Sequence, residues 1–366
     1  MSYRNNKYKR ISAEIQPELV NWQGEKFDNS GDNFTFAKFY KQHNLPEPRL
    51  ARGQAFSPRI FRLNNQTSQP IMSQQFSRSE FLKLAASGAS ATLMGKYESI
   101  LASDSKAKIA LQLYTVRREI EKDLPGTLRK LEEMGLKTVE TAFWPASITI
   151  QAAARHLKNA GLSVCSCHVD IPVGAKKEIM LQTADAFGCK NMIWHGWPED
   201  KRYSTLDGTK ELIDIYNESS RFAQSHDLRF GLHNHWWEYR NRVGDRFVYE
   251  WLLEGVDPAI FFEIDTYWVK VAGQEPAKII SKFGHRARFL HMKDGPARWN
   301  DSLAKDNPDP MVALGKGAQN FPSIVHAADG NIDWMIIEMD VVTGDVFKAI
   351  SESITYLDQH KFARIS

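Results

Sequence analysis

The chain has 366 residues, 42% hydrophobic, 25% charged and 11% aromatic, with 47 basic against 44 acidic side chains and a net charge of +3. That near balance, without a long Lys/Arg block and with the ten Trp scattered, offers no nucleic-acid stripe, and no apolar run reaches the ~18–20 residues that span a bilayer. Three cysteines, Cys165, Cys167 and Cys189, give no disulfide framework and read as small buried thiols.

Residues 1–71 show neither helical nor alternating periodicity and are rich in Asn, Gln, Arg and Ser, with Trp22, Phe34, Phe36 and Phe39 standing singly. This composition predicts a poorly ordered extension. From Met72 the text changes. A short basic start, a stretch of small and apolar residues from Leu82 to Met94, and Leu101-Ala102-Ser103 follow the order of an export signal. The segment Ser77–Lys83 (SRSEFLK) is similar to a twin-arginine motif with Ser79 in place of the second arginine. Residues 72–104 therefore read as an export signal and linker. That predicts a periplasmic protein whose natural start is Met72, or a cytoplasmic one if the signal does not function. An amphipathic surface helix over 79–95 is the alternative.

After Lys108, strand and helix patterns alternate through the third segment, 105–366. Strands are predicted at Ile109–Leu113, Leu136–Glu140, Leu162–His168, Asn191–His195, Arg229–His233, Ile260–Asp265, Arg288–Lys293 and Trp334–Asp340. The intervening helices fall at Thr115–Met134, then near 147–160, 175–187, 206–226, 246–254, 275–283, 320–328 and 344–359. Eight such units are what a closed α/β barrel, the (β/α)8 or TIM barrel, requires. A doubly wound open sheet would want a Gly-rich turn after its first strand. Gln112–Arg117 (QLYTVR) holds no Gly, so the barrel is preferred.

The strand ends carry Gln112, Glu140, His168, His195, His233 with His235 and Glu238, Glu263 with Asp265, His291 with Lys293, and Glu338 with Asp340. A lone strand-end His is usually structural, and an acidic residue there often caps the next helix. Barrel closure gathers all eight ends around one pocket, however. Carboxylates and imidazoles so gathered need a cation or a substrate among them. The mixed set suits Mn²⁺, Co²⁺, Mg²⁺ or Zn²⁺.

Ile109–Arg117 (IALQLYTVR), Gly231–Tyr239 (GLHNHWWEY), Phe262–Val269 (FEIDTYWV), His291–Gly295 (HMKDG), Gly315–Gly317 (GKG) and Ile336–Asp340 (IIEMD) follow in order. Together they resemble the sugar phosphate isomerase/epimerase family of xylose isomerase-like barrels, in the branch whose fifth strand ends His-Asn-His. The resemblance covers about 108–362. It implies a divalent metal held by Glu, Asp, His and Glu from strands five to eight. Asp265, His291 and Glu338 match the last three, and His233 stands where the first glutamate belongs, with Glu238 five residues on. Either could be the fourth ligand. The trinuclear endonucleases of the superfamily need a larger ligand set and a basic groove, which this chain supports only weakly.

The resemblance further implies proton abstraction beside a carbonyl through an enediolate, as in sugar isomerases and epimerases. On this reading Lys293 adds positive charge near the oxyanion, His168 and His195 are the acid/base candidates, and Glu140 orients a neighbour. Gln112, His235, Trp197 and Trp268, with Phe143, are expected to contact a sugar or glycoside substrate. Elimination from a 3-keto-glycoside, as in a lyase or dehydratase, uses the same enolate and remains the alternative. A non-catalytic sugar-binding barrel is the reading from another class, and homo-oligomer formation is left open.

Overall fold

The computed structural model describes residues 107–301, 308–328 and 330–365. The extension expected at 1–71 and the export signal expected at 72–104 lie outside the described residues. Eight parallel strands form the barrel: β1 Lys108–Gln112, β2 Thr138–Thr141, β3 Ser163–Val169, β4 Asn191–Trp194, β5 Arg229–His233, β6 Phe261–Asp265, β7 Ala287–Met292 and β8 Trp334–Ile337. Each pairs with the next, and β8 pairs back onto β1 with Ile109 opposite Met335 and Leu111 opposite Ile337, which closes the ring. Residues Arg364–Ile365 add a short parallel pairing to the start of β1. No helix among the described residues is long and apolar enough to cross a membrane.

The helical layer is α1 Arg117–Lys122, α2 Leu124–Glu133, α3 Ile150–Asn159, α4 Lys176–Phe187, α5 Leu206–Gln224, α6 Trp237–Arg240, α7 Val248–Gly255, α8 Thr266–Val271, α9 Pro276–Phe283, α10 Phe321–Ala328 and α11 Val346–Gln359. The single helix predicted over Thr115–Met134 is broken. Pro125 lacks an N–H and fits only the first turn of a helix, so a new helix starts there, with Asp123 capping it through the Gly126 N–H at 2.9 Å. The three cysteines are buried and free, as their composition suggested.

Side chains alternate along each strand, so every second residue enters the barrel. Ala110, Cys165, Ile193, Phe261, Phe289 and Ile336 make an apolar floor inside it, separate from the larger core between strands and helices. Gly231 belongs to this floor by necessity. A Cβ there would lie 2.6 Å from the Phe261 ring, so a larger residue on β5 would displace the aromatic.

The loop leaving β7 is anchored by one carboxylate. Asp294 is fully buried, and its oxygens accept from the N–H groups of Gly295, Gly315, Gly317 and Gln319 at 2.9–3.2 Å. A Cβ on Gly317 would lie 2.2 Å from Asp294 Oδ1, so only glycine permits this approach. Removing the acceptors strands four donors, each costing about 1–3 kcal/mol when left unmade. Asp294→Ala is therefore expected to lower the unfolding free energy by about 3 kcal/mol or more, read from urea denaturation. A loss below about 1 kcal/mol would show that the loop is held by other contacts.

Candidate active site

Two residues above the floor, the same inward parity turns polar. Phe261 is followed at that spacing by Glu263 and Asp265, Phe289 by His291 and Lys293, and Ile336 by Glu338 and Asp340. Gln112, Glu140, His233, Glu263 and His291 form a middle level, all of it buried. Glu140 Oε1 lies 2.7 Å from His291 Nε2 and 3.3 Å from His168 Nε2. Glu263 Oε2 faces three imidazoles: His168 Nε2 at 2.7 Å, His233 Nδ1 at 3.1 Å and His291 Nε2 at 3.1 Å. Burial raises the Glu140 carboxyl, with Glu263 adding to the rise. Burial lowers the His168 imidazole and pulls that of His233 well down. At His291 burial also pulls downward, but Glu263, Glu338 and Glu140 outweigh it and hold the ring well above its ordinary value.

Above this level lie the carboxylates at the mouth. Lys293, 1% exposed, sits 3.0 Å from Asp265 Oδ2, 2.9 Å from Glu338 Oε2 and 3.0 Å from both Asp340 oxygens. A buried ammonium needs such neighbours. They hold it charged against burial, which pulls it down. Burial pushes the Asp265 carboxyl up to about 6, although Lys293 and His291 oppose the rise. At Glu338 burial is overridden by the same two cations, and the carboxyl falls well below its usual range.

This upper set fits a divalent ion. Asp265, His291 and Glu338 each offer a ligand atom within 4.8 Å of the others. Their Asp265 Oδ2, His291 Nδ1 and Glu338 Oε2 atoms are buried; the Lys293 ammonium faces the two carboxylate oxygens, and His291 Nδ1 approaches Glu338 Oε2 to 2.6 Å. Buried oxygen and nitrogen ligand atoms of this kind, converging from β6, β7 and β8, suit a hard or borderline cation. A second set (His168, His233, Glu263 and His291) shares only His291 with the first.

The sequence-predicted residues separate accordingly. Asp265, His291, Glu338 and Lys293 come together at the mouth, while Glu140, His168 and His233 come together one level deeper. Glu238 belongs to neither donor set among the described residues. Its Oε2 accepts from the His235 backbone N–H at 3.0 Å, and it lines a side cavity with Trp194, Tyr203, Tyr216 and Tyr249, where burial pushes it up to about 8. The short helix α6 turns it outward. Gln112, expected to contact substrate, is fully buried, donating to Glu140 and accepting from the Tyr114 N–H. Both ends of its amide are thus committed to the protein.

His235 stacks on Trp237 (4.4 Å between centroids) with its Nδ1 unpartnered, and Trp197 packs on both rings. Trp268 is buried beside the Lys293 ammonium. Phe143, 58% exposed, meets His195 edge-on. His195 Nδ1 accepts from the Trp197 N–H at 3.1 Å, and its Nε2 faces Asp170 Oδ1 at 3.4 Å. Hydrogen bonding from His195, with Lys176 on the other oxygen, outweighs burial and lowers the Asp170 carboxyl to about 2. Nothing in the sequence pattern singled out Asp170 or Ser166, and Glu263 was given no role there. Inward parity with Phe261 and Asp265 could have singled out Glu263.

The family model of the xylose isomerase-like TIM barrel matches residues 128–360. A sugar phosphate isomerase/epimerase from Parabacteroides distasonis ATCC 8503 is similar at 23% identity and a TM-score of 0.58, over 70% of this chain and 100% of that one. A second from the same organism gives 21% and 0.56, over 72% and 97%. A probable 3-DHS dehydratase from Bacillus anthracis gives 14% and 0.54, over 69% and 98%. Among curated proteins none matches the chain. At these identities the structural likeness is one of fold, and the family match carries the assignment: the chain belongs to the xylose isomerase-like TIM barrels.

Proposed function

We propose that this barrel is a divalent metal-dependent sugar isomerase or epimerase that moves a proton at the carbon beside a carbonyl. The observation that carries this reading is the trio of buried ligand atoms on Asp265, His291 and Glu338, which lie within 4.8 Å of one another beside the Lys293 ammonium. When bound, the ion supplies positive charge that polarises a substrate carbonyl and its neighbouring hydroxyl. Lys293 adds a fixed charge to the same mouth, where negative charge develops on oxygen.

The two histidines differ in which nitrogen can act. A carboxylate only accepts, so His168 Nε2, 2.7 Å from Glu263 Oε2, carries the hydrogen, and the lone pair of the neutral ring lies on Nδ1. That makes His168 the base of this proposal. His195 is the reverse: the Trp197 N–H occupies Nδ1, so the hydrogen sits on Nε2 and the ring is a donor. A proton taken by the neutral His168 ring would leave an imidazolium able to return it to the neighbouring carbon, while His195 would hold a substrate oxygen through its Nε2–H.

The test is solvent exchange. With Mn²⁺ the full chain is expected to introduce deuterium from D₂O beside the carbonyl of a ketose or 3-keto-glycoside, and chelation should abolish the exchange. His291→Ala and Glu338→Ala should each reduce it by roughly a thousandfold, equivalent to several kcal/mol of lost charge stabilisation. Exchange that survives both substitutions would overturn the reading.

Ion binding itself should depend on pH. His291 must release its Nδ1 proton to ligate, and its folded-state pKa is raised, while Asp265 titrates at about 6. Both protons oppose the cation when bound, so affinity rises with pH and is lost as pH falls. Mn²⁺ calorimetry should show affinity dropping by about tenfold per unit below the His291 value, and more steeply below the Asp265 value. A pH-independent affinity between pH 5 and 8 would exclude His291 as a ligand.

A further inference from the structure

The middle level contains a chain of contacts with a direction. Gln112 stands opposite Glu140 in the β1–β2 register, and Ser166 stands opposite it in the β2–β3 register. The latter pairing exists because the register shifts between Val139 and Glu140. Val139 faces Val164, and the next residue faces Ser166 instead of Cys165. Such an irregularity re-aims a side chain. Here it leaves Cys165 in the apolar floor and turns the Ser166 hydroxyl to Glu140 Oε2 at 2.5 Å, while Gln112 Nε2 donates to Oε1 at 2.7 Å. The Glu140 carboxylate is thus gripped from the strand on each side. From there it crosses the barrel interior to β7, where its Oε1 meets His291 Nε2 at 2.7 Å.

We infer that Glu140 is a positioning residue for the metal ligand His291, fixing which ring nitrogen meets the ion. The inference rests on the metal-site proposal for Asp265, His291 and Glu338. Glu140 is 0% exposed and is not one of the ligand atoms of the upper set. Its carboxylate can only accept, so it holds a hydrogen on Nε2 and leaves Nδ1, the atom beside Glu338, as the nitrogen that can carry a bare lone pair. A carboxylate behind a ligating imidazole fixes the tautomer and the ring plane and raises the basicity of the ligand. Glu263 Oε2, at 3.1 Å from the same Nε2, reinforces the choice without replacing it, because His168 and His233 share that oxygen. Gln112 and Ser166 act through Glu140. Together they explain a buried amide and hydroxyl that contact no site ligand directly.

Mn²⁺ affinity measured by calorimetry on the full chain tests the assignment. Glu140→Ala is expected to weaken Mn²⁺ binding by 10- to 100-fold. Glu140→Gln keeps an acceptor oxygen and should recover part of that loss. Wild-type affinity in Glu140→Ala, with binding lost in His291→Ala, would overturn the positioning role while the metal reading stood. Wild-type affinity in His291→Ala would remove the metal reading itself. If the Glu140 variants fail to fold, ¹⁵N-histidine NMR of the Zn²⁺-loaded wild type decides. The expected result is a protonated Nε2 and a metal-bound Nδ1 at His291, and a metal-bound Nε2 would overturn the inference.

Discussion

Closure of the eight-stranded ring is the constraint on which the chemistry of this molecule depends. Once β8 pairs with β1, every inward residue near the C-terminal strand ends faces the same narrow interior. Glu140, Glu263, Asp265, Glu338 and Asp340 converge there, with Lys293 as the one lysine among these buried side chains and His168, His233 and His291 as the titratable nitrogens. An open sheet would let such groups splay toward water. The barrel instead obliges them to neutralise one another or to share a cation, since a buried charge without a partner costs several kcal/mol. The fold thus creates the electrostatic problem that, on the proposed reading, a metal and a polarised substrate would resolve.

The resolution is layered. The apolar floor closes the interior from below, the middle level sets its carboxylates against imidazoles, and the upper level sets Asp265 and Glu338 around Lys293 and His291. His291 belongs to both upper levels, with Nε2 toward Glu140 and Nδ1 toward Glu338. A ring that bridges two levels can transmit the rigidity of the lower one to the reactive one. On the proposed reading, preorganised ligands would spare a bound ion the reorganisation that a flexible site would require. The same logic separates Glu263 from Asp265. Although two residues apart on one strand, one faces three imidazoles and the other faces an ammonium.

Much of this was legible in the sequence because barrel strands obey a period of two. All eight strands lie within a few residues of their predicted spans, and the strand-end histidines and carboxylates do face one interior. What escaped depends on geometry that period cannot encode. The register shift after Val139 aims Ser166, and no residue pattern announces it. Glu238 looked like a ligand because it lies near His233 in the chain, but helix α6 begins at Trp237 and carries it outside the barrel wall. Gln112 looked like a substrate contact because it ends a strand, yet its register partner Glu140 consumes its amide. The break at Asp123 was visible in principle, since Pro125 was incompatible with one continuous helix.

The layering also confines where reaction outcome can be decided. Glu140, Glu263, His291 and Ser166 are fully buried, and His291 alone of the four reaches the mouth, through Glu338. Above the buried level the surroundings are aromatic. Phe143 stands exposed against His195, Trp197 packs over His235, and Trp236 meets Trp299 edge to face. In proton transfer beside a carbonyl, the fate of the enolate depends on which face is reprotonated and on whether a leaving group is held beyond it. On the proposed reading, both choices would fall to this aromatic rim. If the site works as proposed, one buried arrangement could serve isomerisation, epimerisation or elimination, with the rim selecting among them.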